Sequence, residues 1–191
     1  MFAFQEITDE NFHSLDYSDP ENILADSYEN CIFSTCHFQA ADLDKIRFEN
    51  CTFDQCNFSM ANLLDSRFQY CIFKGGKFLA TDWSRARELK EPKFSHCNME
   101  GSVFNHLDIR YGEFKDCHLI ATSFLEVKLQ DAVFCHSDLQ EAIFEQCQME
   151  RCDFRGAKDY QIDIQQNTIR GAQFSRDEAI GLLVGMGVLI E

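Results

Sequence analysis

The sequence is short of basic residues and has no long apolar segment. Lys and Arg number 17 against 32 Asp and Glu, which gives a formal charge of −15. This charge argues against nucleic acid or an anionic membrane as a direct partner and favours a basic one. The apolar tail segment AIGLLVGMGVLI is too short to span a bilayer, and the N-terminal MFAFQEITDENF lacks the basic and apolar regions of an export signal. We therefore expect a cytoplasmic protein that binds neither a membrane nor nucleic acid directly.

The sequence also lacks recognised catalytic motifs. It contains no Gly-rich phosphate loop, no nucleophile elbow and no zinc-binding helix motif. Cys and His are adjacent at 36–37, 96–97, 117–118 and 135–136. Neighbouring side chains of an extended chain point in opposite directions, so such a pair cannot hold one ion. We predict that the protein is not an enzyme and has no metal or cofactor.

Proline is rare, and the two prolines, Pro20 and Pro92, lie beside shifts in a regular pattern. A large apolar residue recurs at every fifth place, at 12 positions from Tyr28 to Trp83 and, after a one-residue shift, at 14 positions from Leu89 to Phe154. Neither a helix, with about 3.6 residues per turn, nor a strand, with a period of about 2.0, explains this spacing. Fixed-period repetition is typical of a solenoid, in which each unit is stabilised by stacking on the next.

The order of residues within the pattern gives the length of one coil. Leu43 and Leu63 are each the last core residue in a group of four five-residue units, and Trp83 is the last in the next group. Because like residues stack on like, this order predicts four fives per coil, with Phe columns inside. The predicted core columns include Phe33, Phe53, Phe73, Phe114, Phe134 and Phe154. Nine of the ten cysteines lie two places before a core residue, Cys135 being the exception, and we interpret them as small, reduced core residues.

We divide the chain into four segments. Residues 1–27 form an N-terminal cap and irregular first coil, and residues 28–154 form the repeat, with a register shift at 84–93. Residues 155–174 form a decaying last coil, and residues 175–191 form a capping or dimerisation segment. In this last segment Ser175 and Glu178 have the spacing of a capping box, which predicts a short helix ending at Gly185 or Gly187 before a strand-like end.

The tail is too apolar to remain in water. It either covers the open end of the last coil or pairs with its own copy in a homodimer, and these roles are compatible. The predicted dimerisation residues are the apolar ones of the tail: Ile180, Leu183, Val184, Met186, Val188, Leu189 and Ile190.

The runs AADLDK at 40–45 and MANLLD at 60–65 resemble the pentapeptide-repeat family. The resemblance implies an all-β fold, a right-handed quadrilateral parallel β-helix, here with a short C-terminal helix and a strand-like tail. The tail sequence DEAIGLLVGMGVLIE is similar to the dimerisation segments of the Qnr, MfpA and McbG subgroup. That similarity implies a dimeric rod that imitates DNA, binds DNA gyrase or topoisomerase IV, and protects the enzyme from quinolone-like drugs or peptide toxins.

The distribution of charge bears on DNA imitation. Residues 1–60 have 2 basic and 12 acidic residues, a net charge of −10, residues 61–120 have 9 and 8, giving +1, and residues 121–191 have 6 and 12, giving −6. A dimer joined at the C-termini would unite two acidic segments. The candidate topoisomerase contacts there are Glu126, Asp131, Asp138, Glu141, Glu145, Glu150 and Asp153. The alternative is a structural or scaffolding repeat protein with a different partner, in which the acidic residues form a solvated surface.

Overall fold

The computed structural model describes residues 5–189 and is a parallel β-solenoid of about eight turns that ends in one short helix. The predicted fold class is thus confirmed. The strands are β1 (Glu6–Thr8), β2 (Asn11–His13), β3 (Ser27–Glu29), β4 (Ile32–Ser34), β5 (Arg47–Glu49), β6 (Thr52–Asp54), β7 (Arg67–Gln69), β8 (Ile72–Lys74), β9 (Glu88–Lys90), β10 (Lys93–Ser95), β11 (Glu113–Lys115), β12 (Ser123–Leu125), β13 (Ile143–Glu145), β14 (Asp153–Phe154) and β15 (Gln173–Phe174). The helix is α1 (Ile180–Gly185).

Each five-residue unit ends at a corner with a left-handed backbone. The residue two places after the core residue has a positive φ, as at Thr35 (53°), Ala40 (53°), Lys45 (62°) and Asn50 (52°). This conformation costs a non-glycine residue about 1–2 kcal/mol. The stacked ladder offsets the cost, since corner amides donate to the next coil, as from Thr35 N to Asp54 O at 2.8 Å.

Strand pairing has the predicted coil length of 20 residues. β5 pairs with β7 in the register Phe48↔Phe68. The offset is 21 where β1 pairs with β3 (Ile7↔Tyr28) and where β7 pairs with β9 (Phe68↔Leu89). A 3-10 helix lies in each of these coils, at Pro20–Asn22 and at Trp83–Arg85, so the extra residue is taken up in a tight turn.

Four fives per coil give the solenoid four faces. The first face contains β1, β3, β5, β7 and β9. The second face contains β2, β4, β6, β8, β10 and β11, and it continues through single bridges to β14 and β15. Isolated bridges from Asp16↔His37 to Asp138↔Lys158 form the third face. The fourth face contains the bridge Asp42↔Asn62, the bridge Asp82↔Val103, and the strands β12 and β13.

Aromatic columns fill the interior. Inside the second face neighbouring rings stack with centroids 4.6–5.3 Å apart. That column is Phe12, Phe33, Phe53, Phe73, Phe94, Phe114, Phe134, Phe154 and Phe174. Adjacent columns meet edge to face, as do Phe114 and Phe124 at 6.1 Å and 87°. Every core position predicted between Tyr28 and Phe154 is at most 4% exposed.

The cysteines are part of this packing. All ten are free thiols, nine are buried, and Cys135 is partly exposed. The Sγ atom of Cys51 lies 3.4 Å from the carbonyl oxygen of Tyr28 on the preceding coil. Burial raises the pKa of Cys51 and of Cys152 to about 12, so these thiols stay protonated at neutral pH.

Candidate functional site

The solenoid interior is filled by side chains, so a partner meets this protein at its surface. Among residues 5–189, no group of three or more His, Cys, Asp or Glu side chains is arranged to hold a metal ion. No helix in the same range is long and apolar enough to cross a membrane. The surface features that stand out are one acidic face, an apolar tail, an interrupted ladder and a basic corner.

Acidic residues gather on the fourth face. Over six successive coils its outward positions carry six acidic and two basic residues, a net charge of −4: Asp42, Asp44, Asp65, Asp82, Glu126 and Glu145 against Lys45 and Arg85. Over six coils the second face carries three of each, a net charge of zero: Asp54, Glu113 and Asp116 against Lys74, Lys93 and Lys115. Duplex DNA carries roughly three charges per 4.8 Å coil. The fourth face is therefore less densely charged than DNA, but it has a larger acidic excess than the second face.

The seven acidic residues predicted from the C-terminal half are divided among all four faces. Asp131 and Glu150 lie on the first, Asp153 on the second, Asp138 and Glu141 on the third, and Glu126 and Glu145 on the fourth. The structure brings the last two together with four aspartates of the N-terminal half. Sequence reasoning missed Asp42, Asp44, Asp65 and Asp82, although the coil period of 20 places them in phase.

Two of the predicted acidic residues have arginine partners. The guanidinium of Arg151 donates to both oxygens of Asp131, at 2.7 and 2.6 Å, and lowers the pKa of that carboxyl group. Arg155 binds Asp153 in the same way, at 2.8 and 2.6 Å, and lowers its pKa. Bidentate pairs of this kind are the strong ones. Their negative charges are balanced locally and are thus less available to a basic partner.

The predicted capping box at the start of α1 is wrong. Residue Ala179 occupies the N-cap, and no side chain caps the helix. The hydroxyl of Ser175 instead accepts a hydrogen bond from Gly156 N at 2.8 Å, which joins the tail to the preceding coil. The helix ends in a Schellman motif, in which Gly187 N donates to Val184 O at 2.9 Å and Val188 N donates to Leu183 O at 3.0 Å.

The helix α1 has a packed side and an exposed side. Gly181 lies against Tyr160, and Leu182 packs on the core. The predicted dimerisation residues are 41–51% exposed, and Leu189 is 95% exposed. We call these residues the apolar tail surface: Ile180, Leu183, Val184, Met186, Val188 and Leu189. Ile190, predicted with them, lies outside the described residues, and Val188 and Leu189 are not in a strand. Clustered apolar exposure of this kind marks interaction sites.

The ladder of the first face is interrupted after β9. This strand is the edge of its sheet, and Asp108 on the next coil bridges onward to Lys128 but not back to β9. Corner amides further along donate to the following coil, as Tyr111 N does to Gln130 O at 3.1 Å. Among the described residues the equivalent amide of Glu91 has no acceptor. A surface cavity of about 500 Å³ opens at this break.

A basic corner joins the first and fourth faces. Arg47, Arg67 and Arg87 follow one another on successive coils and line a cavity of about 380 Å³. Its other lining residues are Asp26, Lys45 and Asp65. Sequence reasoning missed this corner because it considered the net charge of long segments. The signal that could have found it is the spacing of the three arginines, 20 residues each, which matches the coil from Arg47 to Arg67 and is one residue short of the next coil, where Glu88 faces Arg67.

Comparison with protein-family models agrees with the architecture. A family model described as a pentapeptide repeat region matches residues 25–87 and 87–174. A search of curated proteins finds no significant match. Full-length QnrB1, a plasmid-mediated fluoroquinolone resistance protein, is 19% identical over 96% of this chain and 100% of its own, with a TM-score of 0.40. HetL, a pentapeptide repeat protein involved in heterocyst differentiation regulation in the cyanobacterium Nostoc, is 12% identical over 87% and 81%, with a TM-score of 0.37.

Proposed function

Since the chain belongs to the pentapeptide-repeat family, we propose that it acts as one of the family's DNA mimics. In this proposal it is a cytoplasmic homodimer that binds DNA gyrase or topoisomerase IV and protects the enzyme from quinolone-like drugs or peptide toxins. The observation that carries the proposal is the fourth face, where acidic residues outnumber basic ones six to two along a rod. The similarity of the tail to the dimerisation segments of topoisomerase-protecting members also supports it.

The proposed mechanism needs no bond chemistry in this protein. Carboxylates on five of the six coils present negative charge to a basic DNA-binding surface, which speeds encounter and favours the correct orientation. The apolar tail surface joins two rods, and the rigid aromatic columns keep the charges at fixed intervals along each rod. Binding then competes with DNA, and its strength falls as salt rises.

The test is DNA supercoiling by purified gyrase in the presence of a quinolone, with this protein titrated in. We expect rescue of supercoiling by the natural chain, and rescue weakened at least tenfold in the charge-reversed variant Glu126→Lys/Glu145→Lys. A peptide toxin replaces the quinolone in a second series. Failure to rescue in both series would exclude protection of gyrase from these poisons, and a decatenation assay with topoisomerase IV tests the other enzyme.

The matched control reverses charge on another face. Asp54→Lys/Asp116→Lys changes the net charge by the same amount on the second face, where both side chains are exposed. We expect this variant to rescue supercoiling as the natural chain does. Equal loss of rescue in both variants would mean that net charge matters and that the fourth face is not the contact.

Dimerisation has its own test. Leu183→Glu places a charge in the apolar tail surface, where Leu183 is 45% exposed, and should give a monomer in analytical ultracentrifugation. Leu79→Glu, at a third-face residue that is 39% exposed, is the control and should leave the dimer intact. A natural chain that is already monomeric would remove the dimer from the proposal.

A further inference from the structure

We propose that the basic corner is a binding site for a small oxyanion ligand that carries phosphate or several carboxylate groups. The corner is lined by Lys45, Arg47, Arg67 and Arg87 with Asp26 and Asp65, around a cavity of about 380 Å³. It adjoins the acidic surface invoked for topoisomerase binding and shares Lys45 and Asp65 with it, but its arginines have the opposite sign.

The stacking of arginines is the first observation behind this assignment. Arg47 and Arg67 are paired residues of β5 and β7. On the next coil Glu88 is the residue paired with Arg67, and Arg87 comes just before it, with Arg87 N donating to Ser66 O at 2.8 Å. Coils of this kind are about 4.8 Å apart. Like charges at facing positions destabilise a sheet, and an anion held between two guanidinium groups removes that repulsion.

The neighbouring acidic groups of the described chain form no ion pair with Arg67 or Arg87, although Asp65 lines the same cavity. Glu88, opposite Arg67, accepts a hydrogen bond from the Gln69 side chain at 2.8 Å. Asp26 is used locally, since it accepts a hydrogen bond from Gln5 N at 3.3 Å. Lys45 is paired with Asp44 outside the cavity lining. The unpartnered positive charge of the corner is therefore concentrated on Arg67 and Arg87.

The chemistry of arginine and the surroundings of the corner define the ligand. A guanidinium group binds carboxylate or phosphate through two parallel hydrogen bonds, so two adjacent groups suit a ligand with several anionic oxygens. A cavity of this volume is within the usual range for small ligands. Asp42, Asp44 and Asp82 on the adjoining fourth face repel a long polyanion. These features favour a small ligand over nucleic acid or an acidic protein surface.

The experiment is isothermal titration calorimetry of the full chain with pyrophosphate and, separately, with citrate, at constant ionic strength. We expect the natural chain to bind at least one of them and Arg67→Gln/Arg87→Gln to bind it at least tenfold more weakly. The control Arg170→Gln removes an exposed arginine from a later coil of the first face and should bind as the natural chain does.

Pyrophosphate and citrate distinguish a phosphate ligand from a carboxylate ligand. Binding of pyrophosphate alone supports a phosphate ligand, binding of citrate alone supports a carboxylate ligand, and binding of both supports recognition by charge. The proposal is overturned if the natural chain binds neither, if the double variant binds equally well, or if Arg170→Gln weakens binding as much. A measurement on the natural chain alone completes the test: the Nε–Hε NMR signals of Arg67 and Arg87 must shift on titration.

Discussion

Gly181 of helix α1 lies so close to Tyr160 that a Cβ at position 181 would overlap the carbonyl oxygen of Tyr160 and come within 3.2 Å of its ring. Tyr160 is 2% exposed and contacts Phe174, with the ring centroids 5.6 Å apart. The absence of a side chain at Gly181 thus allows the tail to dock on the end of the last coil. Because the obstacle is backbone, it cannot rotate away.

We expect Gly181→Ala to loosen the docked tail by about 1–3 kcal/mol, the usual cost of inserting atoms into a packed site. Cleavage by trypsin after Arg176, on the exposed stretch before α1, should accelerate about tenfold or more. Leu79→Ala, at an exposed third-face residue away from the tail, is the control and should be cut at the natural rate. Equal rates in Gly181→Ala and the natural chain would show that this contact does not hold the tail.

The second prediction concerns the aromatic column of the second face. Phe114 stacks between Phe94 and Phe134, with centroids 5.3 and 5.0 Å away, and it is fully buried. Phe114→Ala should lower the free energy of unfolding by about 3–5 kcal/mol, because it leaves a cavity and removes two stacked contacts. Phe174→Ala, at the partly buried end of the column, should cost less. Urea denaturation of both variants provides the comparison, and an equal loss would contradict it.

The third prediction uses the interrupted ladder. The corner amides of Tyr111 and Asp131 donate to carbonyl oxygens of the next coil at 3.1 and 3.0 Å, whereas the amide of Glu91 in the same column has no acceptor among the described residues. Hydrogen exchange should therefore be at least tenfold faster at Glu91 than at either of the others. NMR-detected exchange in native protein measures all three at once. Protection of Glu91 equal to that of Tyr111 would show that the ladder closes in solution.

The fourth prediction concerns pH. The pKa of Asp131 is lowered in the folded state by Arg151, so the carboxylate form binds its partner and contributes stability above the ordinary Asp pKa of about 3.9. That contribution is lost as the pH falls through the lowered folded pKa. In Arg151→Gln an NMR titration should give Asp131 a higher pKa, nearer the ordinary value. Asp153, paired with Arg155, serves as the internal reference and should titrate as before.

The sequence was sufficient for the architecture because the determinants of the coil are local and repeated. A core residue such as Phe53, a small residue such as Cys51 and a corner residue such as Gln55 recur at the same spacing. The conformation of each unit is therefore determined by its own residues. The period of 20 follows from like residues stacking on like. The one-residue shift between Trp83 and Leu89 is visible in the same way.

Features that depend on residues distant in the sequence were harder to predict from the sequence. The spacing of Ser175 and Glu178 suggested a capping box, but the Ser175 hydroxyl is taken by the Gly156 amide, 19 residues earlier. The candidate acidic residues were selected by their nearness to the C-terminus. The face on which a residue lies is instead determined by its position within the 20-residue coil. Asp42 and Glu145 share a face although about half of the chain separates them. The basic corner was overlooked for the same reason.

The break after β9 also affects the cooperativity of folding along the solenoid axis. In such a protein cooperativity depends on the coupling of each coil to the next. At the interface between the coils of β9 and Asp108 that coupling acts through the core and three faces, while the first face contributes no ladder. This interface is consequently a weakly coupled point in the middle of the described series. We therefore expect fraying that starts at either terminus to stop there, with the two halves of the rod unfolding as neighbouring cooperative units.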